Sequence, residues 1–482
     1  MISKGSLYTV LNGVAQLVKA ISTLVINKVV VIFLGPSALL FVGNLKSVLS
    51  ILQQISGAGI YEGAVKYITG EYKDRPTFIL QASLSLMLIG FLISMALYFV
   101  FSYQLYALLQ LGENKSNLHP WLACGLVLSL LCFVLHTLMQ SFFHGLKSYK
   151  IIVRSTLISS LFTLGLSIPL IYYFNTLGLM VSVFILSVSL LLTYLFHFRS
   201  SLSFGRVLFG TPFRFQIFKP ILSFTMMSAV AAMVFPSVLI VIRSLLVEHV
   251  GIQLASYWEG YSRLSLFISS LAISSISLYY LPKLVEANTG EGLFKVVLWG
   301  IKFLAIVALP ALIIILLLGS YIIPLLYSSS FLETIFLLKW ELLGTFLKLL
   351  SFSVSFIMIA KKLTTVFVIS ELISGLLFLG LSMFLIDKYG FSKQEIQKIS
   401  TLALETKTPI ISDEICCDLI SERAQHEPFG KYLPANFPSV TLMAASKTYN
   451  IAGLPCAIAI VPKSELRLKL KKELLSYPVI SL

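Results

Sequence analysis

Polar side chains recur every three or four residues within an otherwise apolar stretch near the start of the chain. They are Asn12, Gln16, Lys19, Thr23 and Asn27. This spacing places them on one face of an α-helix. The next apolar stretch repeats the pattern with Asn44, Lys46, Ser47, Ser50, Gln54 and Gly57. Such faces are expected to line a protein interior or an aqueous cavity.

Charged residues inside later apolar stretches extend this pattern. Because each is costly in lipid, it is expected to face the cavity, to form a buried ion pair or to reach the headgroups. Glu259 and Arg263 stand at i and i+4, so an ion pair and a role in proton or cation coupling are both open. The same alternatives hold for Glu341 with Lys348. The candidate cavity residues are Asn12, Gln16, Lys19, Asn27, Asn44, Lys46, Arg243, Glu259, Arg263, Glu341, Lys348 and Glu371.

The composition identifies lipid as the solvent around most of the chain. Hydrophobic residues make up 57%, charged residues 12%, and the mean hydropathy is +0.92, which excludes an ordinary soluble globular protein. The net charge is +15, but its Lys and Arg residues cluster in short loops between apolar stretches, as in polytopic membrane proteins. We expect no nucleic-acid partner, and the cysteine spacing predicts no metal site.

About eleven apolar stretches before Gly390 are long enough to cross a bilayer as helices. Their predicted bounds are 8–34, 37–60, 77–101, 120–143, 151–174, 176–197, 219–247, 254–281, 296–319, 333–360 and 364–387. A polar stretch follows the sixth. We therefore predict an all-α membrane protein with a six-helix lobe (1–196), a cytoplasmic linker (197–218) and a five-helix lobe (219–390).

The loop charges predict the orientation, because short cytoplasmic loops are enriched in Lys and Arg. Alternate loops contain Lys66, Lys147 and Lys361, whereas the others offer little beyond Lys115 and Lys388. This asymmetry places the amino terminus in the cytoplasm. It also places whatever follows an eleventh span outside the cytoplasm.

Short motifs in both halves of the membrane part point to a known family. They are Gly35-Pro36, Gly57-Ala58-Gly59-Ile60, Lys66-Tyr67, Phe224-Thr225-Met226-Met227, Trp258 with Gly260, Tyr280-Leu281-Pro282, and Trp340 with Gly344 and Lys348. With these motifs, residues 1–390 resemble the Wzx-type flippases for O-antigen or enterobacterial common antigen (lipid III), in the superfamily of multidrug, oligosaccharidyl-lipid and polysaccharide exporters.

The resemblance implies a MATE-like V of two helical lobes in the bacterial inner membrane. It implies alternating access that moves an undecaprenyl-pyrophosphate-linked oligosaccharide, with polysaccharide polymerase or assembly proteins as further partners and no cofactor. A basic cavity suits the pyrophosphate, which cations bind without a metal. The chain departs from the family where a twelfth helix is expected. It also has Ser265 and Thr345 where family members tend to have acidic residues.

Residues 391–482 follow a different pattern. Three short β-like runs, 409–415, 440–444 and 456–461, alternate with polar turns, which predicts a truncated α/β fold. The motifs Ser412-Asp413-Glu414 and Ser446-Lys447-Thr448-Tyr449-Asn450 resemble class I/II pyridoxal-phosphate (PLP) aminotransferases, of a cystathionine-β-lyase-like type. The resemblance implies that Lys447 forms the Schiff base and that Asp413 holds the pyridinium nitrogen.

We expect this tail to be inactive, because a glycine-rich phosphate cradle, a substrate-binding arginine and a small domain are missing from it. Cys416 also stands where close relatives often have His. The chain is therefore predicted to be a transporter and not an enzyme, with PLP relevant only to a functional tail. The alternatives are a membrane-tethered PLP-dependent aminotransferase or C–S lyase, a nonfunctional fusion product, and a drug exporter.

Overall fold

The computed structural model describes residues 4–69, 76–109, 119–198, 218–287, 289–361, 363–386, 393–414, 428–443 and 458–476. The chain forms two compact units, Met1–Gly380 and Leu381–Leu482. The linker predicted at 197–218 and the boundary predicted at Gly390 lie almost wholly outside the described residues.

The described chain is helical from residue 4 to residue 386. The α-helices are α1 (Lys4–Leu34), α2 (Ser37–Gln53), α3 (Gly59–Thr69), α4 (Pro76–Val100), α5 (Ser102–Leu108), α6 (His119–Gly145), α7 (Tyr149–Phe198), α8 (Phe218–Glu286), α9 (Gly290–Leu317), α10 (Gly319–Leu326), α11 (Phe336–Ala360) and α12 (Thr364–Ile386). A π-helical turn, Gln54–Ala58, joins α2 to α3. The helix predicted to end near residue 60 therefore continues to Thr69.

The long helix α7 reverses direction near Asn175. This residue has φ 49° and ψ −123°, outside the right-handed helical region, and Asn tolerates positive φ better than most residues. Gly178 then packs directly against the Leu170 carbonyl oxygen. Eight residues of unbroken helix would separate these two positions by about 12 Å. The chain must therefore turn back between them.

Helix α8 reverses in the same way at Gly251, which has φ 82° and ψ 163°. Arg243 and Glu259 stand on either side of it, and their side chains are 2.7 Å apart. A straight helix would hold them about 24 Å apart. Residues 218–250 and 252–286 therefore form two limbs of a helical hairpin.

Nine helices among the described residues are long and apolar enough to cross a membrane. Two of them, Tyr149–His197 and Met233–Ile273, contain the reversals just described. Each of these two covers a pair of spans that the sequence predicted separately. The chain is thus an all-α membrane protein with a small sheet near its carboxyl end.

Aromatic side chains hold the start of the second α8 limb in place. Tyr257, Tyr261, Tyr327 and Phe331 are fully buried together. The Tyr261 hydroxyl donates to the Phe331 carbonyl at 2.6 Å, and the Tyr327 hydroxyl donates to the Gly260 carbonyl at 2.7 Å. A Cβ at Gly260 would lie 2.5 Å from the Phe331 ring. This close packing fixes the backbone that carries Glu259 and Arg263.

The start of α9 shows how a helix is specified locally. Thr289 caps it, because its hydroxyl oxygen accepts a hydrogen bond from the Gly292 amide at 3.1 Å. Glu291 lies in the first turn, where a negative charge suits the helix dipole. It pairs with Lys295 at 2.6 Å on the surface. This exposed pair is a useful control for the buried ones described below.

The second unit contains a three-stranded sheet in the order β1 (Ile410–Asp413), β2 (Ser439–Met443) and β3 (Ile458–Ile460). Strands β1 and β2 are parallel, whereas β2 and β3 are antiparallel. Helices α13 (Lys393–Thr406) and α14 (Ser464–Ser476) flank the strands in sequence. Strands β1 and β3 lie within the runs predicted from the sequence, and β2 begins one residue before its predicted run, at Ser439.

Replacing Gly178 by Ala is expected to destabilise the membrane unit, because the added methyl group would overlap the Leu170 carbonyl oxygen. Overpacking of this kind costs about 1–3 kcal/mol. Gly165 is a matched control on the same helix, since a Cβ there meets nothing within 4 Å. The measurement is the fraction of detergent-solubilised protein that stays monodisperse after heating. Equal losses for Gly178→Ala and Gly165→Ala would contradict the reversal at Asn175.

Candidate functional site

A cavity of about 540 Å³ lies between α1, α2 and the two limbs of α8. We call it the central cavity. One wall is apolar and includes Phe235, Pro236, Leu239, Leu266, Phe267 and Leu271. These residues could not be predicted from the sequence, because an apolar side chain in a membrane helix carries no signal that separates a cavity wall from a lipid contact.

The polar face of α1 forms the opposite wall. Gln16, Lys19, Thr23 and Asn27 all line the central cavity, as the three-to-four-residue spacing predicts. Asn12, one turn earlier, is half-buried and is not among the lining residues. Helical periodicity therefore identified the face but not how far the cavity extends along it.

Two lysines in the central cavity keep their ammonium groups available. Lys19 is half-buried and Lys46 is exposed to the cavity. Within the described part of the chain, no hydrogen bond or ion pair holds either Nζ atom. Each ammonium can donate up to three hydrogen bonds to an incoming acceptor.

At one end of the cavity, Glu259 bridges two arginines, and we call these three residues the arginine–glutamate cluster. Glu259 Oε2 accepts from Arg243 Nε at 2.7 Å, and Oε1 accepts from Arg263 Nε at 2.9 Å. The three residues are only 4%, 3% and 9% exposed for Arg243, Glu259 and Arg263. Buried charges of this kind are tolerated because they are paired and hydrogen-bonded.

Both arginines also reach across to α1 and α2. Arg243 Nη1 donates to Ser47 Oγ at 2.9 Å. Arg263 Nη1 donates to Asn27 Oδ1 at 2.6 Å, and its Nη2 donates to the Leu39 carbonyl at 2.8 Å. The cluster therefore links the first two helices of the chain to the α8 hairpin.

The backbone of α2 approaches this cluster at Gly43. A Cβ at that position would overlap the Glu259 carboxylate and lie 3.0 Å from Arg243 Nε. Only glycine leaves room for the two side chains. No sequence pattern indicated this role for Gly43, because the contact joins segments about two hundred residues apart.

The charges that line the central cavity would attract an anion. Four cationic side chains line it, namely Lys19, Lys46, Arg243 and Arg263, against the single carboxylate of Glu259. The surplus is three positive charges. Since the surroundings are poorly solvated, a phosphate-type anion would gain charge-assisted hydrogen bonds that are stronger there than in water.

A second cavity of about 200 Å³ lies on the other side of Arg243, and we call it the outer cavity. Its lining residues are Ser37, Leu40, Phe41, Asn44, Leu108, Leu109, Arg243, Ser244, Val247 and Ile252. Asn44 thus lies in the outer cavity and not in the central one. Arg243 lines both cavities.

The remaining predicted residues lie outside the two cavities. Lys348 is exposed, with its Nζ 4.7 Å from the centre of the Phe235 ring, and Glu371 is half-buried. Among the described residues, Glu341 and Lys348 do not form the ion pair that the sequence allowed for them. Glu259, in contrast, forms its pair with Arg263 and gains Arg243 as well.

Ser265 and Thr345, which depart from the family pattern, face each other. Their hydroxyl oxygens are 2.6 Å apart, and Thr345 also donates to the Glu341 carbonyl at 2.7 Å. Ser265 also hydrogen-bonds the side chain of Glu341, so its proton has two possible acceptors and either hydroxyl can be the donor between Ser265 and Thr345. The Glu341 side chain therefore belongs to this contact.

In the second unit, only one of the two residues implied to hold PLP is among the described residues. Asp413 ends strand β1 and is exposed, and Lys447 lies outside the described residues. A carboxylate that holds a cofactor nitrogen needs an enclosed site to orient the ring. The exposure of Asp413 does not fit that requirement.

Comparisons with known proteins find a flippase that is similar in sequence to the membrane unit and a transporter that is similar to it in fold. No family model matches the chain. The chain is 25% identical over 413 residues to the lipid III flippase of Escherichia coli (strain K12), which covers 81% of this chain and 92% of that protein. A multidrug resistance MATE family transporter of the MOP superfamily, solved in an inward-facing conformation, has the same fold, with a TM-score of 0.53 at 17% identity over 76% of this chain and 84% of that one.

The tail has a separate relative. It is 38% identical over 87 residues to cystathionine β-lyase PatB of Bacillus subtilis (strain 168), which covers 18% of this chain but only 22% of that enzyme. Both resemblances stated from the sequence motifs are confirmed, as is the MATE-like fold. The chain is similar to a flippase over most of its length and to a fragment of a PLP enzyme at its end.

Proposed function

We propose that the membrane unit is a flippase that moves an undecaprenyl-pyrophosphate-linked oligosaccharide across the bacterial inner membrane by alternating access. The observation that carries this proposal is the central cavity with its surplus of three positive charges. Similarity to the lipid III flippase supports a lipid-linked glycan as cargo. The MATE-like fold supports alternation of two lobes about a central site.

Eleven membrane crossings fit this proposal best. The nine apolar helices become eleven crossings when the reversals at Asn175 and Gly251 are each taken to lie at a membrane surface. With a cytoplasmic amino terminus, the lobes are residues 1–196 and 219–390, joined by the cytoplasmic linker 197–218. The basic loops then lie on the cytoplasmic side.

The lysines and the arginines have different proposed roles in binding. The ammonium groups of Lys19 and Lys46 have no partner among the described residues, so they are the first cations that an anionic headgroup entering the central cavity can use. Arg243 and Arg263 already share Glu259, so their charge is partly compensated. We infer that the lysines are the first groups to bind the pyrophosphate and that Arg263, held by Glu259, keeps α1 and α2 against α8.

Complementation of a flippase-deficient bacterial strain tests the function. Two versions of the chain are compared, the full sequence and one in which the residues after Gly390 are replaced by a generic twelfth helix. We expect at least one of them to restore surface polysaccharide, measured by gel profile and antibody binding. Failure of both, at membrane levels equal to those of a working flippase, would refute the proposal. Rescue by the second version alone would show that the tail prevents activity.

The tail is proposed to have no PLP-dependent activity. We expect purified full-length protein mixed with PLP to show the same visible spectrum as its Lys447→Ala variant after free PLP is removed. The reason is that Asp413 is exposed and that the tail matches only 22% of its enzyme relative. A bound-cofactor absorbance band that disappears in Lys447→Ala would contradict this expectation and favour the membrane-tethered enzyme.

A further inference from the structure

We propose that the outer cavity is a second anion site, used as the cargo leaves, and that Arg243 is the movable partition between it and the central cavity. This inference rests on the proposed function for the identity of the cargo. The observation behind it is that Arg243 lines both cavities while its partner Arg263 lines only the central one. The class of ligand is a phosphate or pyrophosphate group.

The two arginines differ in how completely their donors are used. Each of the three nitrogens of Arg263 donates to an acceptor, which is Glu259, Asn27 or Leu39. Arg243 donates through Nε to Glu259 and through Nη1 to Ser47, and within the described part of the chain its Nη2 has no acceptor. Arg263 is therefore an anchor, whereas Arg243 keeps a donor for a ligand.

The arrangement also limits the cost of moving Arg243. If its guanidinium turns away, Glu259 still accepts a hydrogen bond from Arg263 at 2.9 Å. No buried carboxylate is left unpaired, which is the step that makes breaking a buried ion pair expensive. An incoming phosphate can then replace Glu259 and Ser47 as the acceptor for Arg243, because guanidinium binds phosphate with two parallel hydrogen bonds.

The outer cavity contains a second group with unused hydrogen-bonding capacity. Asn44 is 7% exposed, and among the described residues its buried Oδ1 atom has no hydrogen-bond donor. Its Nδ2 donates to the Leu108 carbonyl at a long 3.4 Å. That bond uses one of the two amide hydrogens. The other hydrogen can be donated to an oxyanion held by Arg243.

The position of the outer cavity matches the direction of export. Its lining residues come from the start of α2, the end of α5 and the turn of the α8 hairpin near Ile252. The loop charges predict that all three places lie on the side of the membrane opposite the cytoplasm. An anion passing Arg243 from the central cavity would therefore move toward the exit side.

The test measures protection of a cysteine in the outer cavity. Ser244, which is exposed there, is replaced by Cys in the full-length protein, and its maleimide labelling is followed by peptide mapping with and without sodium pyrophosphate. We expect pyrophosphate to slow labelling about five-fold or more relative to sodium chloride of equal ionic strength, the lower end of typical coupling between linked sites. Arg243→Gln should remove the protection, whereas Lys302→Gln, an exposed charge on α9, should keep it.

Arg243→Lys guards against a folding defect, because it retains the charge but loses the guanidinium fork. Weaker protection in Arg243→Lys, with the elution profile of the parent protein, would support the outer site. Protection that is absent in the parent, or unchanged in both Arg243 variants, would overturn it. Protection together with failed complementation would support the anion site but refute the proposed glycan cargo. Complementation without protection would support the proposed function and refute only the outer site.

Discussion

Glu259→Gln is expected to destabilise the membrane unit by about 3–5 kcal/mol, the usual cost of removing one partner from a buried ion pair. The glutamine would leave Arg243 and Arg263, which are 4% and 9% exposed, without an anion. Their two charges would then repel each other across a poorly solvated site. We also expect loss of transport, because the same cluster connects α1 and α2 to the α8 hairpin.

A matched control is the exposed pair of Glu291 and Lys295, whose side chains are 78% and 72% exposed. Glu291→Gln removes the same charge by the same substitution, and an exposed pair contributes about 0–1 kcal/mol. The measurements are thermal stability in detergent and complementation in cells. If Glu259→Gln melts at the temperature of Glu291→Gln, the arginine–glutamate cluster does not hold the helices together.

Local periodicity accounts for the part of the site that the sequence identified. The polar face of α1 comes from spacing along one helix, and the pair of Glu259 with Arg263 comes from the i,i+4 relation, so neither needed knowledge of the fold. The positions of the apolar segments likewise follow from hydropathy and length, although the structure gives nine apolar helices among the described residues where about eleven spans were predicted. Each of these features depends only on residues that lie within about 30 positions of one another in the sequence.

Contacts that depend on a reversal of the chain could not be predicted from the sequence. Arg243 meets Glu259 only because the helix turns back at Gly251, and Gly43 matters only because α2 passes that meeting point. Lys348 is the opposite case, since its spacing from Glu341 permits a pair on one helix face, yet its Nζ lies beside Phe235 of α8. The contacts of Arg243, Gly43 and Lys348 are therefore set by tertiary packing and not by spacing along one helix.

The geometry separates the charged residues that hold the helices together from those that are free to bind an anion, which the composition could not do. Arg263, with every nitrogen engaged, and Glu259 belong to the framework that holds the helices. Lys19 and Lys46, with no partners in the described residues, are free to bind an anion. Variants of the two groups should therefore fail differently, with the first losing stability and the second losing transport from a stable protein.

The double substitution Lys19→Gln with Lys46→Gln is accordingly expected to abolish surface polysaccharide without a large change in stability. A hydrogen bond to a charged group contributes about 1.5–3 kcal/mol, so losing two should weaken binding of the pyrophosphate on the order of 100-fold or more. Stability should be retained, because neither ammonium is paired in the described structure, so neither substitution breaks a contact that holds the helices together.

Lys295→Gln with Lys302→Gln is the matched control, since it removes two exposed lysines from α9 and changes the net charge equally. Lys19→Arg with Lys46→Arg keeps the charge and should preserve at least part of the activity. If the charge-removing pair restores surface polysaccharide as well as the control does, the cargo does not depend on these lysines. An anionic headgroup in the central cavity would then have to rely on arginines that already share Glu259, and the proposed division of tasks between lysines and arginines would be wrong.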